Sequence, residues 1–347
     1  MSRQILIGLM ILAINGCSPH ASGKRSQKYT DSRYLMGTVV GIEVCFDKEK
    51  EIDLKSAAAE LWERLEEINW RMNVFDEKSD VVKVNNSYQS PVLIGADTYR
   101  VIADSIHFNK LTHGAFDITV WPLIKFWKRS AKQNTLPTEA EIQEVKKALG
   151  SDKIALLSDH HVEVLHPETK IDLGGIAGGY AVDEAVRILR EHGFLDFLID
   201  EGGDLFLSGK NCEGKPWRIG IRHPRDPQEM MEVLELSNQA VTTSGDYEQL
   251  YEIQNQHWSH IMNPLTGYPP KSVVSATVIA PTTEEADALA TALCVLSPRG
   301  GVDLIDSLGE GFACLLIEHA PDEHWVRHES QRYQTIKKWK GRGKDFR

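Results

Sequence analysis

The chain has 347 residues, 41% of them hydrophobic and 26% charged, with 39 Lys and Arg set against 50 Asp and Glu for a net charge of −11. That composition excludes a disordered chain, a collagen-like repeat and a bundle of membrane helices, and the length allows roughly two domains or one duplicated unit around a sizeable core. The acidic balance argues against a non-specific nucleic-acid groove, which needs clustered cations, but leaves room for a local site that takes a small anion.

The N-terminus reads Met1-Ser2-Arg3, then an apolar run from Ile5 to Ile14, then Gly16-Cys17-Ser18. One positive charge, a short apolar stretch and a small residue before Cys make a bacterial lipoprotein signal. The run is too short to remain as a membrane span. Cleavage leaves Cys17 as the lipidated first residue, so residues 1–17 are read as signal and 18–32, small and polar, as a tether. An uncleaved anchor or an ordinary secretory signal is the alternative, and each puts the rest of the chain outside the cytoplasm. The expected location is the periplasmic side of a bacterial membrane, and Ser18 beside Cys17 leans towards the outer one. The other cysteines are 45, 212, 294 and 314, with no CxxC and no zinc spacing. The compartment permits a disulfide; spacing does not say whether any two of them pair.

Val39 to Val44 is a β-rich run after Met36-Gly37-Thr38. Leu54, Ala58, Leu61, Leu65, Ile68 and Met72 recur at helical spacing and predict an amphipathic helix over 50–72. Further helices are predicted over 97–113 and 138–149, the latter between Pro137-Thr138 and Gly150. Residues 153–172 read as two strands running into the glycine turn 174–179, and a helix from there to His192. Short strands dominate 195–280. An alanine-rich helix over 283–296, a helix over 299–308 and a strand over 311–318 complete the core, which is expected to span 33–320. Residues 321–347 read as a basic tail, mobile or laid on the surface. Strands and helices do not alternate as in a doubly wound sheet, so the class is α+β.

Five segments are candidates for chemistry, and each has a plain structural alternative. The turn from Asp172 through Gly174, Gly175, Gly178 and Gly179 ends a strand and starts a helix, a place where free N–H groups suit a pyrophosphate. It is neither GxGxxG nor a P-loop, and a tight packing turn explains it equally. Asp287 and Thr291 are four apart and share one helical face. Their oxygens suit Mg²⁺, although such a pair by itself is commonly a solvated face. His260 precedes a Pro/Gly turn and on its own reads as structural. Thr242-Thr243-Ser244-Gly245-Asp246-Tyr247 is a polar turn with spare hydroxyls but not a hydrolase elbow. Glu201-Gly202-Gly203-Asp204 looks like a hairpin turn.

Taken in order, these segments resemble one family. The lipobox, Met36-Gly37-Thr38, Phe75 to Ser79, Gly114 to Val120, Asp172 to Ala177, Gly202-Gly203-Asp204, Thr243 to Tyr247, His260 to Gly267 and Ala286 to Thr291 follow one another as in the FAD:protein FMN transferases, the ApbE-type lipoproteins. The resemblance covers roughly residues 33–320. It implies a T-fold-like α+β architecture of mixed and antiparallel sheets with packed helices. It implies FAD as donor, lined by Met36, Phe75, Ala115, Phe116, Asp117, Asp172, Gly178 and Ile261. It implies Mg²⁺ on Asp287, Thr291 and a carbonyl of the glycine turn, Gly175, with His260 at the catalytic position. The implied partners are acceptor subunits of membrane redox complexes, with a threonine hydroxyl receiving FMN and AMP leaving. Gly178 departs from the lysine common in the family, so a contact to flavin or phosphate is missing or comes from elsewhere. Glu201 stands where Asn or Ala-type residues are common. The rival readings are an FAD pyrophosphatase and a flavin-binding lipoprotein without catalysis.

Cys17→Ala is expected to yield a protein that carries no lipid and accumulates as unprocessed precursor. Intact mass and membrane fractionation check this, and no change in either overturns the anchor.

Overall fold

The computed structural model describes residues 27–226, 228–247, 250–319 and 325–340, with only the backbone of 337–340. The lipoprotein signal, Cys17 and Ser18 lie outside the described residues. β1 (Gln27–Leu35) and β2 (Thr38–Phe46) form an antiparallel hairpin whose turn residues Met36 and Gly37 have φ of 52° and 86°. Two successive left-handed residues match the twist of the strands they join. Residues 27–32, expected in the tether, belong to β1 because they pair in register with β2, Lys28 bridges to Glu43 at 2.6 Å, and Asp31 accepts from Trp62 Nε1 at 2.8 Å.

α1 (Glu51–Met72) buries the six apolar positions named above. Then come α2 (Asp80–Asn85), β3 (Val92–Leu93), α3 (Ala96–Leu111), α4 (Trp121–Gln133), α5 (Glu139–Lys146), β4 (Ile154–Leu156) and β5 (His161–Val164). The capping box of Thr138 and Glu141 starts α5. α4 was not predicted. It begins with Pro in its first turn and buries Leu123, Phe126, Trp127 and Ser130, while its lysines face outward. After β5 the chain stays irregular to Asp172 rather than extending the second strand. α6 (Ala177–Glu191) follows the glycine turn. β6 (Phe197–Glu201) and β7 (Asp204–Ser208) are joined through Gly202 and Gly203, both at positive φ, as the hairpin reading required.

The remaining elements are β8 (Trp217–Arg222), β9 (Met230–Leu236), β10 (Gln239–Gly245), β11 (Leu250–Ile253), β12 (Gln256–Ser259), β13 (Val273–Ala280), α7 (Thr283–Val295), α8 (Pro298–Ser307), β14 (Ala313–His319), β15 (Trp325–Glu329), α9 (Gln331–Ile336) and β16 (Lys337–Lys340). The central sheet runs β1-β2-β6-β7-β10-β13-β14-β15, every neighbour antiparallel. Its class is α+β, as expected. One face carries Val40, Ile42, Ile199, Phe206 and Val278 against the layer of α1, α6 and α7. The other carries Leu198, Leu205, Leu207, Val241 and Leu315 against Trp217, Met231 and Leu234 of the small β16-β9-β8 sheet. A third cluster, around Trp127 and Trp258, ties α4 to the β11-β12 hairpin.

The basic tail is not a tail where it is described. β15 is the last strand of the central sheet, and Ser330 and Tyr333 are fully buried. Arg327 is neutralised by the buried Glu232 at 2.7 Å, and Tyr333 donates to the same carboxylate at 3.0 Å. Cys45 at the end of β2 is bonded to Cys212 in the β7–β8 connection, while Cys294 and Cys314 are buried thiols.

Glu284 on α7 is buried, and its Oε1 has no hydrogen-bond partner among the described residues. Burial, then Asp104, push its carboxyl up to about 8, against the opposing charge of Arg100. A carboxyl raised in the folded state contributes stability that is complete below its unfolded value and is lost as pH climbs towards the folded one. Glu284→Gln is therefore expected to gain stability relative to the parent between about pH 5 and pH 8. Urea melts at both ends of that window check it; a constant difference overturns it.

Candidate active site

The glycine turn and α7 meet through main-chain contacts that only glycine permits. An ideal Cβ on Gly179 would lie 2.5 Å from the carbonyl oxygen of Thr283 and 2.7 Å from Glu284 Cα. The two helices hold each other's N-terminal regions. Gly179 N–H donates to Asp287 Oδ2 at 3.1 Å, and Asp183 of α6 accepts from the N–H groups of Thr283 and Glu284 at 2.8 and 2.9 Å. Asp287 is thus buried against the first turn of α6 rather than lying on a solvated face.

One turn further along α7, Thr291 faces Gly175. A Cβ on Gly175 would sit 3.2 Å from Thr291 Oγ1 and 3.5 Å from Phe116 Cε2. Ser244, at the end of β10, brings its Oγ within 3.5 Å of Thr291 Oγ1. Of Thr242 to Tyr247, read as a turn, the first four are the last residues of that strand and only Asp246 and Tyr247 turn. Asp287, Thr291 and Ser244 thus set a cradle of hard oxygen donors beside the glycine turn, of the kind that suits Mg²⁺.

The loop Gly114–Asp117 closes on this cradle. His113 and Gly114 both take positive φ after α3. Thr112 Oγ1 accepts from Phe116 N–H at 3.0 Å and Asn109 Nδ2 donates to Phe116 O at 2.7 Å, so the loop is fixed by the helix it leaves. Asp117 turns back on Thr119, accepting from its N–H at 2.8 Å and its hydroxyl at 2.6 Å. Asp172 N–H donates to Ile118 O at 2.8 Å, joining this loop to the glycine turn. Burial raises both carboxyls; Thr119 opposes the rise at Asp117, and Gly174 N–H and then Lys128 oppose it at Asp172.

At the mouth, Phe75 is 73% exposed and stands edge-on to Trp121 with centroids 5.5 Å apart. Lys128 lies over both rings, 5.8 and 5.4 Å from their centroids. Trp121 and Lys128 escaped the sequence reading because α4 did; Pro122 just inside the helix start was the available signal. Tyr251 of the β11-β12 hairpin also belongs here. Burial and the charge of Asp172 push its phenol up to about 12. His260 follows β12 and is half-buried, and Ile261 beside it is buried. The turn after them is held by Asn263 Oδ1, which accepts from Leu265 and Thr266 N–H, and by Trp127 Nε1 donating to Gly267 O. Met36 sits in the β1–β2 turn, partly buried against the core.

Gly178 lies in the first turn of α6 without left-handed backbone. The space beside it belongs to carboxylates: an ideal Cβ would be 2.6 Å from Glu201 Oε2 and 2.9 Å from Asp204 Oδ2. Glu201, read as a minor departure in a hairpin, is therefore the direct neighbour of the other one. Burial and then the charge of Asp204 push the Glu201 carboxyl well up, while burial pushes Asp204 up to about 6 against hydrogen bonds from Glu201 and Thr242.

Residues 36–316 match the model of the ApbE family. A Haemophilus influenzae protein named FAD:protein FMN transferase is 32% identical over 317 residues, covering 88% of this chain and 90% of its own length. A Vibrio cholerae protein of the same name is 31% identical, covering 87% and 89%. Among solved structures, the ApbE protein of Thermotoga maritima superposes with a TM-score of 0.81 at 31% identity, over 90% of this chain and all of its own. The flavin transferase ApbE of Vibrio cholerae gives 0.80 at 29%, over 90% and 99%.

Gly179→Ala has no neighbour that can yield, since the obstructing atoms are main chain. It is expected to cost about 2–3 kcal/mol, the scale of overpacking in a tight core. Chemical denaturation checks it, and a loss near zero overturns the account of the α6–α7 contact.

Proposed function

This chain belongs to the ApbE family, and from that premise we propose that it transfers FMN from FAD to a threonine hydroxyl of a redox membrane protein. The reaction is Mg²⁺-dependent and releases AMP. The observation that carries the reading is the oxygen cradle of Asp287, Thr291 and the glycine turn, set directly against the buried loop of Phe116 and Asp117. The donor set, and the absence of a Cβ at Gly175, fit a hard cation there. Asp287, Thr291 and the Gly175 carbonyl would hold it. The chemistry supplied by bound Mg²⁺ is neutralisation of pyrophosphate charge and stabilisation of the leaving phosphate.

The chain's own residues position the reactants. The Phe75–Trp121 pair offers ring faces and an edge to a flat aromatic group, with Lys128 adding a cation at the mouth. The threonine oxygen attacks the FMN phosphorus, the bond from that phosphorus to the bridging oxygen of AMP breaks, and the hydroxyl proton leaves. His260, half-buried directly after β12, is the candidate that takes the proton. Holding donor and hydroxyl in line supplies most of the remaining acceleration.

The protein works at the periplasmic side of a bacterial membrane, anchored through lipid on Cys17. The signal-like N-terminus supports this, and so does the Cys45–Cys212 disulfide, a bond that persists in oxidising compartments.

The test incubates the protein with FAD, Mg²⁺ and candidate acceptor proteins. Flavin that stays on an acceptor through denaturing electrophoresis is the expected result. Free FMN with AMP and no covalent flavin points to the pyrophosphatase instead, and unchanged FAD to a binding protein. Asp287→Ala is expected to abolish transfer while weakening FAD binding less, because it removes the charged group of the cradle. Turnover near that of the parent at low Mg²⁺ overturns the assignment.

A further inference from the structure

α4 differs from the other helices in its charge. It carries Lys125, Lys128, Arg129 and Lys132 and neither Asp nor Glu, whereas every other helix of eight or more described residues contains at least one acid. Cations on those helices are matched one turn away, as Lys55 is by Glu51, Arg100 by Asp104 and Arg187 by Glu191. The three lysines of α4 enter no ion pair among the described residues. In a chain with a net charge of −11, such a helix is a local exception.

Its cations are also aligned. Trp121, Lys125, Lys128 and Lys132 are spaced four, three and four residues apart, so they form one stripe along the helix. Leu123, Phe126, Trp127 and Ser130 take the opposite, buried side, and Arg129 lies over the Phe126 ring, off the stripe. The stripe begins at the cleft. There Trp121 meets the exposed Phe75, and Lys128, lying over both rings, is the cation that acts on the buried Asp172. Lys125 adds its charge beside Lys170, which donates to the Asn85 carbonyl: burial lowers the Lys170 ammonium, Glu168 opposes this and Lys125 reinforces it. From Trp121 to Lys132 the stripe runs about 16 Å outward, the length of about five residues of extended chain.

We propose that this stripe is the docking surface for the acceptor protein, and that it takes an extended acidic segment beside the target threonine. The inference rests on the transferase reading above. The threonine enters at Phe75 and Trp121, and carboxylates on its flank pair with Lys128, Lys125 and Lys132. The donor does not account for the row, because Lys125 and Lys132 are exposed and the second lies three turns from the cleft. A lipid surface does not account for it either. Helices that lie on membranes set large apolar residues against their cations, and here the one aromatic of the row belongs to the cleft. Ion pairs at an exposed rim act on encounter and on the choice of partner, so they govern which threonine is presented rather than the chemical step.

The test uses the full chain saturated with FAD and a rhodamine-labelled short peptide, a threonine flanked by Asp and Glu, followed by fluorescence anisotropy. The control peptide carries Lys at the acidic positions. The acidic peptide is expected to bind the parent at least about tenfold more tightly than the control, by a margin that shrinks as salt is added. Lys125→Glu/Lys132→Glu is expected to lose that margin while binding FAD as the parent does, and Lys125→Gln/Lys132→Gln to lose part of it. Thermal melts check folding, and the glutamine pair decides the matter should the charge reversal unfold the chain. Equal binding of the two peptides, or none, overturns the proposal. Vesicles of zwitterionic lipid, with and without anionic phospholipid, form the second arm. Binding to anionic vesicles that the variants lose, without a preference for the acidic peptide, assigns the stripe to the membrane and overturns the proposal. Weakened FAD binding in the variants assigns it to the donor and does the same. The peptide assay involves no turnover, so its failure is distinct from a failure to transfer flavin.

Discussion

Most of this structure depends on how closely α6 approaches α7. Gly179 lets the backbone of one helix rest on the backbone of the other, at a separation no side chain would allow. The contact is reciprocal in its hydrogen bonds: Asp183 of α6 satisfies the first free N–H groups of α7, and Asp287 of α7 satisfies Gly179 in the first turn of α6. Each helix start carries a partial positive charge and unpaired donors, and each receives a carboxylate. The glycine turn that leads into α6 is thereby pinned, and with it the position of Gly175 opposite Thr291.

The site then forms where irregular segments are tied to this pair. The loop through Phe116 and Asp117 is fixed to α3 by Asn109 and Thr112, and to the glycine turn by the bond from Asp172 to Ile118. The hairpin that carries Tyr251 and leads to His260 is held by Trp127 and Trp258 from a separate apolar cluster. Loops positioned by rigid elements are where binding chemistry collects. The scaffold beneath is a sheet buried on both faces, by helices on one and by a second small sheet on the other.

Among the described residues the charged side chains that are fully buried are all carboxylates, consistent with the net charge of −11. The fold treats them differently by place. Asp117 is satisfied locally by Thr119, Glu232 is paired with Arg327 and Tyr333, and Glu201 faces Asp204 across a hairpin. A buried charge with a partner stabilises its surroundings little but is costly to strand.

The sequence by itself determined what repeats locally. The apolar spacing of Leu54 to Met72 specified α1, the Gly202-Gly203 pair specified a hairpin, and the four-residue separation of Asp287 and Thr291 put both on one side of α7. The ordered motifs were specific enough to identify the family and the α+β class. α4 went unread although Leu123, Phe126 and Trp127 recur at helical spacing behind Pro122. Only the tertiary structure decided which distant residues meet. Cys45 and Cys212 are 167 residues apart, Gly178 faces Glu201 from another element, and the basic segment around Arg327 becomes a sheet strand because Glu232 awaits it. Periodicity is written along the chain by the helix and strand repeat, whereas these meetings follow from the order of strands in the sheet and from the one close helix contact, neither of which any short window of residues contains.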